Sequence, residues 1–365
     1  MRALVLVALA ACSDHASWLV ESHVLQDGVH ETNNDCRTGP CPHDENTDLT
    51  SFAGATYLVH RTAESQILGP NSSLRVYRSD DHGGAWSLLS IIPAPTDRDL
   101  RDPSFYVDAT GALAIKAITR LPVTSSRDSG VDSITVRTTS SDGGMTWSDL
   151  APIGPEMWSF WRVKVDSDGT LYSAAYEDGD MAVQLFSSTD GATWTPGAMI
   201  YSTADDTPLE TELIFNDGGV TALVRMDGTD DELLGNVGRL RTKLCTAQQP
   251  YAAFDCSGEI DDARLDGPVA FAWDSRDFVI AREHFIEPDD RKKTALYELV
   301  DGGVVMHGEF PSAGDTSYAG VVAIDADQFL VTYYSSDTNK PDEPWARALL
   351  EPSDIWQATI DLSKL

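Results

Sequence analysis

The sequence predicts an all-β protein, a six-bladed β-propeller of four-stranded blades. Three observations predict it: short β-type runs separated by Asp-Gly and Gly-Gly turns, no stretch with a sustained helical period, and a long repeat of strand-length segments. Such turns stand at Asp108-Ala109-Thr110-Gly111, Asp168-Gly169, Asp217-Gly218-Gly219 and Asp301-Gly302-Gly303. The second strand of each unit reads at Thr56 to His60, Leu113 to Thr119, Leu171 to Ala175, Val220 to Val224, Phe278 to Ala281 and Phe329 to Tyr333. Their starts lie 57, 58, 49, 58 and 51 residues apart. This period with four strands per unit is the signature of a propeller, whose blades bury their faces only against neighbouring blades. Six units give six blades over residues 43–365. A two-sheet sandwich of this length would not be expected to repeat so regularly.

Composition narrows the function. The 365 residues carry 26 Lys plus Arg against 58 Asp plus Glu, a net charge of −32, with 42% hydrophobic and 23% charged residues. That balance supports a large core and excludes wholesale disorder. It argues against a nucleic-acid partner, which needs a basic face. A pocket for an anionic ligand must therefore concentrate its arginines locally. Of the 26 basic residues 19 are Arg, whose planar fork suits a carboxylate.

The N-terminus points to export. Met1-Arg2 precedes an apolar run ending in Leu9-Ala10-Ala11-Cys12, which resembles a bacterial lipobox and implies a signal peptide over 1–11 and a lipidated Cys12. A plain secretory signal is the alternative. No other stretch is long and apolar enough to span a membrane, so contact with one is expected only through the lipid. Residues 12–42 read as a polar tether, although Trp18-Leu19-Val20 could form a strand. Setting Cys12 aside leaves Cys36 with Cys41 and Cys245 with Cys256, two close pairs expected as local disulfides in an oxidising compartment. Neither pair has zinc-site spacing, and neither H-E-x-x-H nor a phosphate-binding loop occurs, so no metal or organic cofactor is expected.

Three units carry a sharper motif. Ser79-Asp80-Asp81-His82-Gly83-Gly84-Ala85-Trp86 and Ser140-Ser141-Asp142-Gly143-Gly144-Met145-Thr146-Trp147 fit S-x-D-x-G-x-x-W, and Ser188-Thr189-Asp190-Gly191-Ala192-Thr193-Trp194 fits with one residue fewer. Asp caps backbone N–H groups, Gly takes positive φ and Trp packs back under the blade. These segments resemble the Asp boxes of the sialidase (neuraminidase) superfamily, where they join the third and fourth strands of a blade. They name a fold and not an activity.

Propeller sites form where first strands begin and second strands end. Here second strands end in Arg61, Arg120, Tyr176-Glu177, Arg225, Arg282 and Tyr333-Tyr334. The resemblance implies three arginines on a sugar carboxylate, an Asp acid/base, and a Tyr nucleophile activated by a Glu. A phenol avoids the repulsion an anionic nucleophile would meet from a carboxylate on the reacting carbon, provided a base takes its proton. Tyr318, in Thr316-Ser317-Tyr318-Ala319-Gly320, resembles the nucleophile. Glu210 resembles its base, with Glu212 on the same strand face as the competitor. Arg225 and Arg282 resemble the second and third arginines. Arg101-Asp102-Pro103 resembles the segment carrying the first, with Asp where the family has Ile. Asp128 corresponds to the acid/base, with Asp102 and Asp132 as competitors.

One departure stands out. The family carries its first arginine in the first blade, whereas Arg101 and Asp128 fall in the second unit. The first unit offers Arg61 and Asp48 instead. Arg101-Asp102-Pro103 also resembles a motif of five-bladed fructan- and arabinan-cleaving glycosidases, and Trp158 and Trp161-Arg162 read as core or as a wall for a sugar ring. The expected protein is an exported, lipid-anchored monomer that hydrolyses terminal acidic sugars of glycans. A propeller that binds glycans or proteins without cleaving them, or one that cleaves a non-sialic sugar, is the alternative.

Overall fold

The computed structural model describes residues 16–26, 35–67, 69–121, 132–177, 181–216, 218–228, 240–285 and 291–365. It contains six antiparallel sheets. Blade one consists of His43–Phe52, Ala55–Ala63, Ser73–Ser79 and Ser87–Pro93. Blade two follows with Asp99–Val107, Leu113–Arg120, Ser133–Ser140 and Ala151–Pro152. In blade three the inner strand is interrupted, Trp158–Phe160 and Lys164–Val165 both pairing with Leu171–Glu177, before Ala182–Ser188 and Thr195–Ser202. Blade four is Asp206–Asn216, Gly219–Gly228, Thr242–Gln248 and Asp255–Ile260, and blade five Asp266–Trp273, Arg276–Phe285, Arg291–Val300 and Gly303–Glu309. All six predicted second strands are present.

Blade six departs from the expectation. Thr316–Ala323, Gln328–Ser335 and Asp354–Asp361 supply three strands, and the fourth is Leu19–Gln26, paired with Asp354–Asp361. The stretch read as tether therefore closes the ring, joining the start of the propeller to its end. Trp18 seals the joint: it is buried, donates Nε1–H to the His307 carbonyl at 3.1 Å and meets Phe310 edge-on. The segment holding Cys36 and Cys41 is also docked, since Ser73 Oγ donates to the Cys36 carbonyl at 2.6 Å and Arg75 donates to the Gly39 carbonyl. Cys12 and Asp128 lie outside the described residues.

Apolar side chains of adjacent blades interleave. Val59, Val76 and Leu74 of blade one pack with Leu100, Ile115 and Ala117 of blade two, and Phe278 and Ile280 of blade five with Val331 and Ile360 of blade six. The three Asp-box-like turns join third and fourth strands. In each a Ser hydroxyl donates to the Asp, Ser79 to Asp81, Ser140 to Asp142 and Ser188 to Asp190, while the carboxylate accepts backbone N–H groups further along. Hydrogen bonds to the charged form hold Asp142 and Asp190 at about 2. Two of the tryptophans reach the preceding blade: Trp86 Nε1 donates to Gln357 and Trp147 Nε1 to Ser90.

Both expected disulfides are present, Cys36–Cys41 and Cys245–Cys256, closing separations of 5 and 11 residues. Chain entropy gives about 2 kcal/mol for the shorter loop and about 3 kcal/mol for the longer. Replacing each pair by Ser should lower unfolding free energy by amounts in that order, measured by urea titration under oxidising conditions.

Candidate active site at the propeller axis

Five inner strands share one irregularity. A register shift falls between Glu45 and Asp48, Arg101 and Ser104, Pro208 and Thr211, Asp266 and Val269, and Ser317 and Gly320. The bulged backbone takes positive φ at Asn46, Asp102, Gly267, Ser317 and Tyr318, of 49°, 51°, 57°, 97° and 50°. A bulge re-aims a side chain that would otherwise lie across the sheet. Blade three achieves the same by its break, which frees Trp161 and Arg162. The side chains so placed bond between blades that are not neighbours, a contact only the central axis allows. Tyr318 of blade six reaches Glu210 of blade four, Trp161 of blade three donates to the Pro268 carbonyl of blade five at 3.1 Å, and Arg162 of blade three reaches Asp48 of blade one.

Tyr318 and Glu210 form the centre. The phenol donates to Glu210 Oε1 at 2.6 Å, and Arg225 Nη1 donates to Glu210 Oε2 at 2.5 Å and to the Tyr318 oxygen at 3.1 Å. Burial, then the Glu210 charge, pushes the phenol well above its ordinary value, so it is held protonated with its proton directed at a carboxylate. The ring is boxed in by Trp161 edge-on at 5.8 Å, by Tyr334 at 6.0 Å and by the Arg282 guanidinium 5.2 Å from its centroid. Gly267 lies beneath it, and a Cβ there would fall 2.8 Å from Tyr318 Cδ2. Gly267→Ala should therefore displace the phenol ring, since the φ of 57° at this position also disfavours Ala. A crystal structure of the variant beside its thermal midpoint measures this.

The arginines sort themselves by their partners. Arg225 engages Asp227 with Nε at 2.8 Å and Nη2 at 3.0 Å, and Asp266 with Nε at 3.1 Å. Burial opposes its charge, but these carboxylates and Glu210 overcome that and raise its pKa well above normal. Arg264 buttresses the pair, donating to Asp227 at 2.6 Å and Asp266 at 2.9 Å, and His284 Nε2 lies 2.9 Å from Asp266. Arg282 donates to the Thr316 carbonyl, Asp315 and the Tyr334 hydroxyl, each at 2.9 Å. Asp315 also accepts from Trp345 Nε1 in the short helix Trp345–Ala348.

Arg101 and Arg61 separate clearly. Arg101 is loosely held, 3.7 Å from Asp102 and 3.9 Å from Asp99; burial opposes its charge, and the acids around it with Tyr318 raise its pKa above normal. The Arg61 side chain is 0% exposed, donating twice to Asp99 at 3.0 and 2.9 Å and to Glu45 at 2.6 Å. Arg61 thus joins blades one and two and is closed to solvent, while Arg101 is 15% exposed. Arg120 pairs with Asp132 at 3.3 Å away from this cluster.

The competing acids sort similarly. Glu212 is buried, accepting from Ala270 N at 2.6 Å and paired with Lys164, so it is engaged away from Tyr318. Asp48 is taken by Arg162 and by Phe105 N at 2.7 Å. Asp102 lines a small cavity with Tyr318, Asn46, Trp161 and Lys116, and accepts from Asn46 Nδ2 at 2.7 Å. Lys116 was not singled out by the sequence; it is buried, donates to the carbonyls of Asp102 and Phe160, and burial lowers its pKa to about 7. Only its place at the register of the inner-strand bulge could have flagged it.

The molecule is thus a six-bladed propeller with a Tyr–Glu pair and an arginine cluster at its axis. No protein-family model and no curated protein matches the sequence. Solved structures match in shape. A protein of unknown function from Dyadobacter fermentans has a TM-score of 0.63 at 15% identity over 93% of this chain and 99% of its own. The Hadza microbial sialidase Hz136 has 0.63 at 16% over 88% of this chain, and Trypanosoma rangeli sialidase in complex with sialic acid 0.65 at 12% over 94%. The chain spans 66% and 59% of the length of those two sialidases. It has the sialidase propeller fold.

Proposed function

We propose that this chain is an exo-acting glycoside hydrolase that removes terminal acidic sugars of the sialic type. The observation that carries the reading is the 2.6 Å hydrogen bond from the Tyr318 phenol to Glu210 among Arg101, Arg225 and Arg282. In the reaction Tyr318 Oη bonds to the anomeric carbon while Glu210 takes the phenol proton and the leaving oxygen departs with a proton from an acid. Water then bonds to the anomeric carbon, giving a proton to the carboxylate of that same acid, and the glycosyl–tyrosine bond breaks as Glu210 returns its proton to the phenol oxygen. The acid is proposed to be Asp128, with Asp102, which lines the cavity with Tyr318, as the competitor. Arg101 and Arg282 hold the substrate carboxylate, joined by Arg225, and a bidentate fork is hard to replace by Lys. The test is hydrolysis of a panel of 4-methylumbelliferyl glycosides, acidic and neutral, by the purified mature domain. Turnover of an acidic member supports the reading, and turnover of none favours a binding protein.

A second reading has its own support. Every arginine of the cluster already faces carboxylates, Arg225 with Asp227 and Asp266, Arg282 with Asp315, and Arg101 with Asp99 and Asp102. That compensation favours a neutral sugar, and turnover of only the neutral glycosides would establish it.

Export with a lipid on Cys12 belongs to the same proposal. The two disulfides, of a kind that persists in oxidising compartments, support the export part of it. Intact-mass analysis of the membrane fraction should give a chain beginning with acylated Cys12. A mature chain beginning downstream of it would refute the anchor.

A further inference from the structure

We infer that Arg162, held by Asp48, is a positioning residue for Tyr318, a role that rests on the nucleophile assignment proposed above. Ser317 and Tyr318 sit consecutively at φ of 97° and 50°, a backbone that non-glycine residues adopt only when their surroundings impose it. Three contacts impose it here. The Thr47 hydroxyl donates to the Tyr318 carbonyl at 3.1 Å and accepts from Gly320 N at 3.1 Å. Arg162 Nη2 donates to the carbonyl of Ala319, the residue after the nucleophile, at 2.5 Å. The same guanidinium donates through Nη1 to Asp48 Oδ1 at 2.5 Å, and Asp48 Oδ2 accepts from Phe105 N at 2.7 Å.

The brace thus ties the bulge of blade six to the broken inner strand of blade three and to blades one and two. Its geometry needs a fork. A planar guanidinium offers two nitrogens fixed relative to one another, one for the carboxylate and one for the carbonyl, whereas an ammonium is a point donor on a flexible stem. Neither residue touches the phenol oxygen or Glu210. Their effect on the reaction passes through the backbone of Tyr318, and a misplacement near 1 Å at a reacting atom costs about 100-fold.

The experiment compares the native protein with Arg162→Lys and Asp48→Asn, each carrying 3-fluorotyrosine at position 318, by ¹⁹F NMR and by steady-state kinetics on 4-methylumbelliferyl N-acetylneuraminic acid. The native sample should give one narrow resonance. Both variants should displace or broaden it and lower kcat by about 10- to 100-fold with KM changed less than about threefold. A merely structural role would lower the thermal midpoint and leave the resonance and the kcat per folded molecule unchanged, which would overturn the inference. If one variant does not fold, the other decides. If the native protein cleaves no glycoside, the hydrolase reading fails on its own, and the resonance alone judges the brace: displaced supports it, unmoved overturns it.

Discussion

Replacing Tyr318 by Phe should abolish turnover through the normal route, by on the order of 10³-fold or more, while affinity for the free sugar product stays within about threefold. The change removes one oxygen and almost no volume from a ring held by Trp161, Tyr334 and Arg282. What it takes away is the atom that donates to Glu210 at 2.6 Å. Glu210 keeps its bond to Arg225, so the loss of one partner should cost about 1–3 kcal/mol of stability and leave the protein folded. Because burial and the Glu210 charge raise the phenol pKa well above 10.0, no useful phenolate exists at neutral pH, and proton transfer must accompany attack. Glu210→Gln should therefore fail to a similar degree. The double variant should be scarcely worse than either single one, since the pair acts as a unit. Steady-state kinetics with calorimetric binding of the product checks all three, and a Phe variant with near-native kcat would sink the nucleophile assignment.

How far these residues were legible follows from what sequence encodes locally. The blade repeat and the Asp turns are local patterns, and each came through at its predicted place. That Tyr318, Glu210, Arg225 and Arg282 would come together was legible because strand order and strand ends in a propeller fix which residues face the axis. Four matters were not. Leu19–Gln26 is an edge strand whose partner, Asp354–Asp361, lies at the far end of the chain, so no local pattern announces the pairing. The choice between Arg61 and Arg101 depends on Asp99 and Glu45 meeting Arg61 between two blades, which no spacing reveals. The shared inner-strand bulge was hidden too, because only the paired register shows that Asn46, Asp102, Gly267 and Tyr318 are equivalent positions. The contact of Arg162 with Asp48 was hidden as well: Asp48 reads as a site candidate of the first unit and Arg162 as core or sugar wall beside Trp161, and no spacing brings blades one and three together.

Replacing Arg61 by Met should lower unfolding free energy by about 3–5 kcal/mol at neutral pH, whereas Arg101→Met should cost little stability and weaken an acidic ligand instead. Arg61 is enclosed with Glu45 and Asp99, whose side chains are 1% and 0% exposed. Met keeps an unbranched, shorter apolar stem and takes the chief cationic partner from two carboxylates in a low dielectric. The pH dependence separates this loss from simple packing damage. Burial opposes the Glu45 charge, yet Arg61 and His43 overcome it and hold its pKa below 4.5. A carboxylate with a depressed folded pKa contributes stability above its unfolded pKa and loses it as pH falls through the folded value. Native protein should therefore weaken as acidification proceeds below about pH 4.5. In Arg61→Met the chief cause of the depression is gone and burial dominates, so Glu45 favours its proton on folding. The deficit of the variant should then shrink as pH falls, in the opposite sense to the native trend. Urea titrations of both proteins between neutral pH and about pH 4 measure it, and a deficit independent of pH would mean that Arg61 acts through packing rather than through its charge.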